Sequence, residues 1–269
     1  MQRTLITMQI DLKGKTALVG GASAGIGKAI AQELAKCGAT VFIMARNEEK
    51  LKKVVAELDK KAGQEHGYVV SDFMDYEKHK TIIAGFFKSH QIDILVNNTN
   101  GPAAGTVLSK EEEDYQGAFE LLFQTAVYTS NLALSHMKQQ GYGRIINVSS
   151  MTVKEPQDGL VLSNTMRTAL VSWSKSLANA VGRDGITVNS VLTGYFATDR
   201  LYSLMEKQAE QEGLDIAVIE KRRRDSIPVK RLGKPEEYGY LVAFLASPYA
   251  SFLTGASIPL DGGISNLIF

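Results

Sequence analysis

Short apolar runs separated by helix-length amphipathic stretches constrain this chain most, because the first of those runs ends in a glycine-rich turn. Thr16–Gly20 passes directly into Gly21-Ala22-Ser23-Ala24-Gly25-Ile26-Gly27, and a helical pattern follows over residues 25–37. The alternation then continues. Strand-like runs lie at 40–44, 67–70, 92–96, 144–148 and 186–191, with helical stretches at 47–62, 76–89, 109–140 and 159–181 between them. A further helix begins near Pro235. Runs that are apolar throughout, rather than at every second position, belong to strands buried on both faces. Helices between successive strands require parallel pairing with right-handed crossovers.

The expected fold is therefore α/β: a single doubly wound Rossmann domain, with a mostly parallel sheet of about seven strands and helices on both faces. Nothing repeats across residues 1–269, and no Pro- or Ser-rich linker divides them. Residues 195–231 break the rhythm. They are charged, helix-prone and inserted where a strand should lead straight to its helix, so they read as a lid over a site at the carboxyl ends of the strands. Residues 1–10 read as a loose extension without a secretory leader, and Met8 could be the true start.

The spacing of the glycine turn carries its own chemistry. Gly21 permits a tight turn, Gly25 lets backbone approach a pyrophosphate, and Gly27 lets the helix pack close. Ser23 and Ile26 lie in the same turn, and the first helical amides meet phosphate charge. At the end of the second strand stands Arg46, where an acidic residue would take the ribose hydroxyls of NAD. A guanidinium there favours the 2′-phosphate of NADP through charge-assisted bonds, and neither Met44 nor Ala45 supplies a carboxylate. The expected cofactor is NADP, with NAD second.

Composition excludes other classes. A net charge of +1 offers no basic field for nucleic acid or anionic membrane. The local run Lys221-Arg222-Arg223-Arg224 reads as a solvated helix face rather than a binding patch. No stretch of about 18 apolar residues is present to span a bilayer. The single cysteine, Cys37, excludes an internal disulfide, fits a cytoplasmic setting and reads as a buried helix residue rather than a nucleophile.

Several motifs at matching distances accompany the glycine turn. They are Asp72 after the third strand, Asn97-Asn98 after the fourth, and Gly143-Arg144-Ile145-Ile146-Asn147-Val148-Ser149-Ser150 at the fifth. Val188-Asn189-Ser190-Val191 and a tail from Leu253-Thr254-Gly255 to Asp261-Gly262-Gly263 complete the set. On these the sequence resembles the short-chain dehydrogenase/reductase family over essentially its whole length, in a divergent subgroup similar to β-ketoacyl-carrier-protein reductases. The resemblance implies that Asp72 bonds the adenine and that Asn98 lines the wall beside the adenosine. It also implies that Gly194, after Thr193, lies beside the nicotinamide. Asn97 reads equally as a strand-end cap.

The same resemblance implies an Asn-Ser-Tyr-Lys catalytic group, and here the chain departs from the family. Ser150 holds the serine position, but the tyrosine position is Ser163, the lysine position Arg167 and the asparagine position Leu122. The run Ser174-Lys175-Ser176-Leu177-Ala178 fixes that register. Tyr76 and Lys80 satisfy Tyr-x-x-x-Lys only by coincidence, since they precede the fourth strand. The expected catalytic set is thus Ser150, Ser163 and Arg167, with Arg167 also holding a cofactor ribose. A serine hydroxyl is too weak an acid to replace a tuned phenol, and an arginine stays protonated. Tyr195 is a conceivable substitute donor, although a core or lid aromatic is the favoured reading.

Three functions are compatible with these residues. The first is an NADP-dependent oxidoreductase acting on a small carbonyl or alcohol; the second is a catalytically silent NADP-binding sensor or scaffold. A methyltransferase is the third, disfavoured by Arg46 and the full-length pattern. No metal site is expected. By resemblance, the apolar helices over 109–140 and 159–181 would pair in a homodimer or homotetramer.

Overall fold

A computed structural model describes residues 9–267. Seven strands form one sheet in the order β3-β2-β1-β4-β5-β6-β7, and every pairing in it is parallel. The strands are β1 Thr16–Gly20, β2 Thr40–Ala45, β3 Gly67–Val70, β4 Ile94–Asn97, β5 Gly143–Ser150, β6 Ile186–Thr193 and β7 Ser257–Leu260. The connecting helices are α1 Gly25–Lys36, α2 Glu48–Glu57, α3 Tyr76–Phe87, α4 Glu112–Phe119, α5 Thr125–Gln140 and α6 Val161–Val181. Three more, α7 Asp199–Glu212, α8 Ile216–Ser226 and α9 Pro235–Ala246, follow β6.

Alternate residues of the central strands enter two cores, as the unbroken apolar runs require. Ala17 and Val19 of β1 pack with Ile30 and Leu34 of α1 and with Val242 of α9. Leu18, pointing the other way, packs with Ile83 of α3, Met137 of α5 and Val181 of α6. Helices therefore cover both faces.

Four readings change. The stretch 47–62 is helical only to Glu57, because Leu58 turns to an extended conformation and buries its side chain. The stretch 109–140 is two helices joined by a π-helical turn, Glu120–Gln124. Residues 1–8 of the proposed loose extension lie outside the described residues. Of the remaining two, Ile10 packs on the core and the Gln9 carbonyl accepts from the Tyr249 hydroxyl at 3.3 Å, so neither is loose. Cys37 caps α1 and is partly buried rather than enclosed; burial pushes its thiol up to about 11.

Within 195–231, α7 and α8 meet around their own small core. Leu201, Met205 and Ala209 of α7 pack against Ile219 of α8. The basic run is largely neutralised inside this unit. Arg222 pairs with Glu212, Arg224 with Glu220, and Lys221 with Asp225. No described helix is long and apolar enough to cross a membrane.

Candidate active site

At the carboxyl end of β1 the chain needs two left-handed residues in quick succession, and Gly21 (φ 56°) and Gly25 (φ 55°) supply them. Gly27 is required for a different reason. A Cβ there would lie 2.3 Å from the Gly21 carbonyl oxygen and 2.8 Å from Asn98 Nδ2. Asn98 itself donates to the Gly20 carbonyl at 3.0 Å and so ties the turn to the end of β4. Asn97 is not a strand-end cap. Its amide donates to Ser130 on α5 at 3.0 Å and to Asn147 on β5 at 2.8 Å, and Asn147 donates onward to Ser174 on α6 at 2.7 Å.

The turn opens onto a cleft of about 310 Å³. Eight of the ten expected cofactor residues line it: Gly21, Ser23, Gly25, Ile26, Gly27, Arg46, Asp72 and Asn98. Ala24 precedes α1 without a side-chain cap, and no acidic residue occupies the first turn of that helix. The leading amides and the positive end of the helix dipole are therefore free to meet an anion. Arg46 stands exposed at the cleft edge. Asp72 keeps one carboxylate oxygen on the Met74 amide at 3.0 Å.

Arg167 lines a smaller adjoining cavity of about 20 Å³, which shares Phe73, Asn98 and Thr99 with the cleft. Its Nε donates to Ser163 Oγ at 3.2 Å and its Nη1 to the Val148 carbonyl at 2.6 Å. Val148 lies one residue beyond the last rung between β5 and β4, Asn97↔Asn147. Burial pushes the guanidinium down to about 10, which leaves it charged at neutral pH. Leu122, on the π-helical turn, lines the same cavity, so an apolar side chain stands where the family pattern implies an amide. Ser150 ends β5, and its hydroxyl accepts from the Thr152 amide at 3.2 Å. It lines neither cavity.

Two candidates fall elsewhere. Gly194 is held against the C-terminal segment, where a Cβ would sit 2.5 Å from the Asp261 Cα, and it does not border the cleft. Tyr195 lines a separate cavity beside Arg231 and Asp261 and lies under the Arg223 guanidinium at 4.8 Å, as a lid aromatic. Lys80 pairs with Glu77 at 3.0 Å and lies over the Tyr76 ring at 5.1 Å, and neither Tyr76 nor Lys80 borders either cavity. No cluster of metal-ligating side chains is found among the described residues.

The sequence reading takes Asn100 only as part of a turn and assigns no site role to Thr198 or Arg200, yet all three line the cleft. Thr198 had a local signal, a hydroxyl residue opening a helical stretch; it accepts from the Leu201 amide at 3.3 Å. Arg200 had none, because only the return of α7 over the glycine turn brings it there.

Known proteins of the same build match the chain almost end to end. A family model described as enoyl-(acyl carrier protein) reductase matches residues 21–265. The 3-oxoacyl-(acyl-carrier-protein) reductase FabG of Rickettsia conorii is 35% identical over 255 residues, spanning 95% of this chain and 98% of that protein. The NADPH-dependent reductase BacG of Bacillus subtilis is 34% identical over 93% of this chain and 97% of its own. Among solved structures, L-sorbose reductase from Gluconobacter frateurii, complexed with NADPH and L-sorbose, superposes with a TM-score of 0.89 at 30% identity, over 97% of this chain and all of that one. YwfH, an NADPH-dependent reductase involved in bacilysin biosynthesis, gives 0.88 at 33% identity, over 94% of this chain and 99% of its own. With the glycine turn, the sheet order and the full-length matches in agreement, the chain belongs to the short-chain dehydrogenase/reductase family.

Proposed function

We propose that this protein is an NADP(H)-dependent oxidoreductase that interconverts a small carbonyl compound and its alcohol without the tyrosine–lysine pair usual in its family. One observation carries the reading: the glycine turn, Arg46 and Asp72 converge on one cleft, which adjoins the cavity holding Arg167. Those groups fit NADP. The uncapped start of α1 takes phosphate, the Arg46 guanidinium takes the 2′-phosphate, and Asp72 accepts from the adenine amino group. The NADPH-dependent relatives support the same choice.

When bound, NADPH supplies a hydride to the carbonyl carbon. The protein's own part is to orient the reactants and stabilise charge. Arg167 keeps a fixed positive charge beside the end of β5, where it steadies a ribose hydroxyl and the oxyanion developing on the substrate. Ser163 accepts from Arg167 Nε and so fixes the plane of the guanidinium. Ser150 lines neither cavity, and its role rests on the family pattern alone, in which the serine at this strand end would hold the substrate oxygen. None of these is a competent acid at neutral pH, so the oxygen takes its proton from water. Loss of a positioned acid slows such a step by about 10²- to 10⁴-fold without forbidding it.

In the same reading, α7 and α8 form the lid that selects the substrate, and the protein works in the cytoplasm as a homodimer or homotetramer. NADPH oxidation over a panel of small ketones and aldehydes tests the function. The native protein is expected to turn over slowly, and Arg167→Ala to lower that rate further. No oxidation by native protein, with oxidation gained by combined Ser163→Tyr, Arg167→Lys and Leu122→Asn, would instead identify a catalytically silent NADP-binding sensor or scaffold.

A further inference from the structure

We propose that Arg200 is a phosphate hook carried on the lid, closing α7 onto the diphosphate of the bound dinucleotide. The inference rests on the cofactor reading above and adds a residue to it. Arg200 stands in the first turn of α7 and lines the cleft across from Ser23, Gly25 and Asn100. Its neighbour Thr198 brings the lid against the glycine turn, with its methyl 3.3 Å from where a Gly25 Cβ would project. On its other side the guanidinium fills the space left by Gly101, with Nη2 2.8 Å from a Cβ built there.

Arg46 and Arg200 line this cleft together with Asp72 and Asp199, but neither carboxylate pairs with Arg200. Arg200 has no carboxylate partner among the described residues, while Lys221, Arg222 and Arg224 of α8 do. Arg167 is likewise unpaired, and the positive charge of Arg200 adds to burial in holding its guanidinium down. The uncapped start of α1 faces the same space with its own partial positive charge. The unpaired Arg200 guanidinium and the uncapped start of α1 border one cleft, and an anionic ligand lying between them would meet both. Arg46 stands at the end of β2, at the 2′-phosphate end of the cleft. Arg200 stands beside Gly25, where the turn presents its amides, and so takes a different phosphate. Because α7 and α8 share one small core, pulling Arg200 inward moves the lid as a unit.

Three probes separate the phosphates: NADPH, 2′-phospho-ADP-ribose, which keeps the diphosphate, and adenosine 2′-monophosphate, which lacks it. Binding is measured by calorimetry, without turnover. Arg200→Ala should weaken the first two about 10- to 100-fold, the range for a hydrogen bond to a charged group, and leave the monophosphate within about twofold. Arg200→Lys should fall between, and Arg46→Ala should weaken all three. Native-like affinity of Arg200→Ala for 2′-phospho-ADP-ribose would overturn the hook alone, as would an equal loss for the monophosphate. Failure of the native protein to bind any of the three would overturn the cofactor reading and the hook together.

Discussion

Gly27 and Gly85 show how differently two glycines in helices can be constrained. A Cβ at Gly27 would lie 2.3 Å from the Gly21 carbonyl oxygen, whereas one at Gly85 on α3 would meet nothing within 4 Å. Gly27→Ala should therefore destabilise the fold by about 1–3 kcal/mol, as overpacking does, and loosen dinucleotide binding with it. Gly85→Ala should stabilise by about 0.5–1 kcal/mol through helix propensity. Denaturant midpoints and NADPH titration on both variants check the pair of outcomes. The same contrast explains which site residues were legible in the sequence. Gly21, Gly25 and Gly27 answer to backbone geometry that local spacing encodes, and all three line the cleft. Arg46 is readable because its strand end is. Arg200 was hidden, since nothing local distinguishes it from the other arginines of 195–231.

Among elements, β1 to β6 were legible to within about two residues from their apolar runs, whereas β7, with no fully buried residue, was not delimited. Helix ends were harder. The charged pattern of α2 continues past Glu57, yet tertiary packing of Leu58 ends the helix. The segment that leaves the lid is fastened by Arg231, whose two Nη atoms donate to Glu237 of α9 at 2.8 and 2.6 Å. That guanidinium, with the Lys234 amide, holds the Glu237 carboxyl at about 2, against an ordinary 4.5. A depressed carboxylate stabilises the folded state fully above its unfolded value, and the contribution drains away as pH falls through the folded one. Glu237→Gln should thus cost stability at pH 7, by no more than about 1 kcal/mol for so exposed a pair. Variant and native protein should converge as the pH approaches 2. Urea midpoints at pH 7, 4.5 and 3 test this, and a difference that grows on acidification would contradict it.

For the whole molecule, the order β3-β2-β1-β4-β5-β6-β7 places the site at the strand ends near β1 and β4, where successive connections wind to opposite sides of the sheet. Helix α6 and the α4–α5 pair lie on one side of that sheet, and the aromatic contact of Phe123 with Trp173 joins them. Association through these helices should give a dimer or tetramer by sedimentation velocity at micromolar protein, whereas a monomer alone would contradict it. Leu122 reaches its cavity on the π-helical turn Glu120–Gln124, where the Thr125 hydroxyl donates to the Glu120 carbonyl at 2.7 Å. That turn holds one residue more than an α-helix would use over the same rise. Each residue of an α-helix advances the direction of its side chains by about 100°. The extra residue therefore acts as a phase setter: it aims Ala133 and Met137 of α5 into the core. Deleting one residue there would turn the whole of α5 about its axis, so the count of residues matters as much as their identity.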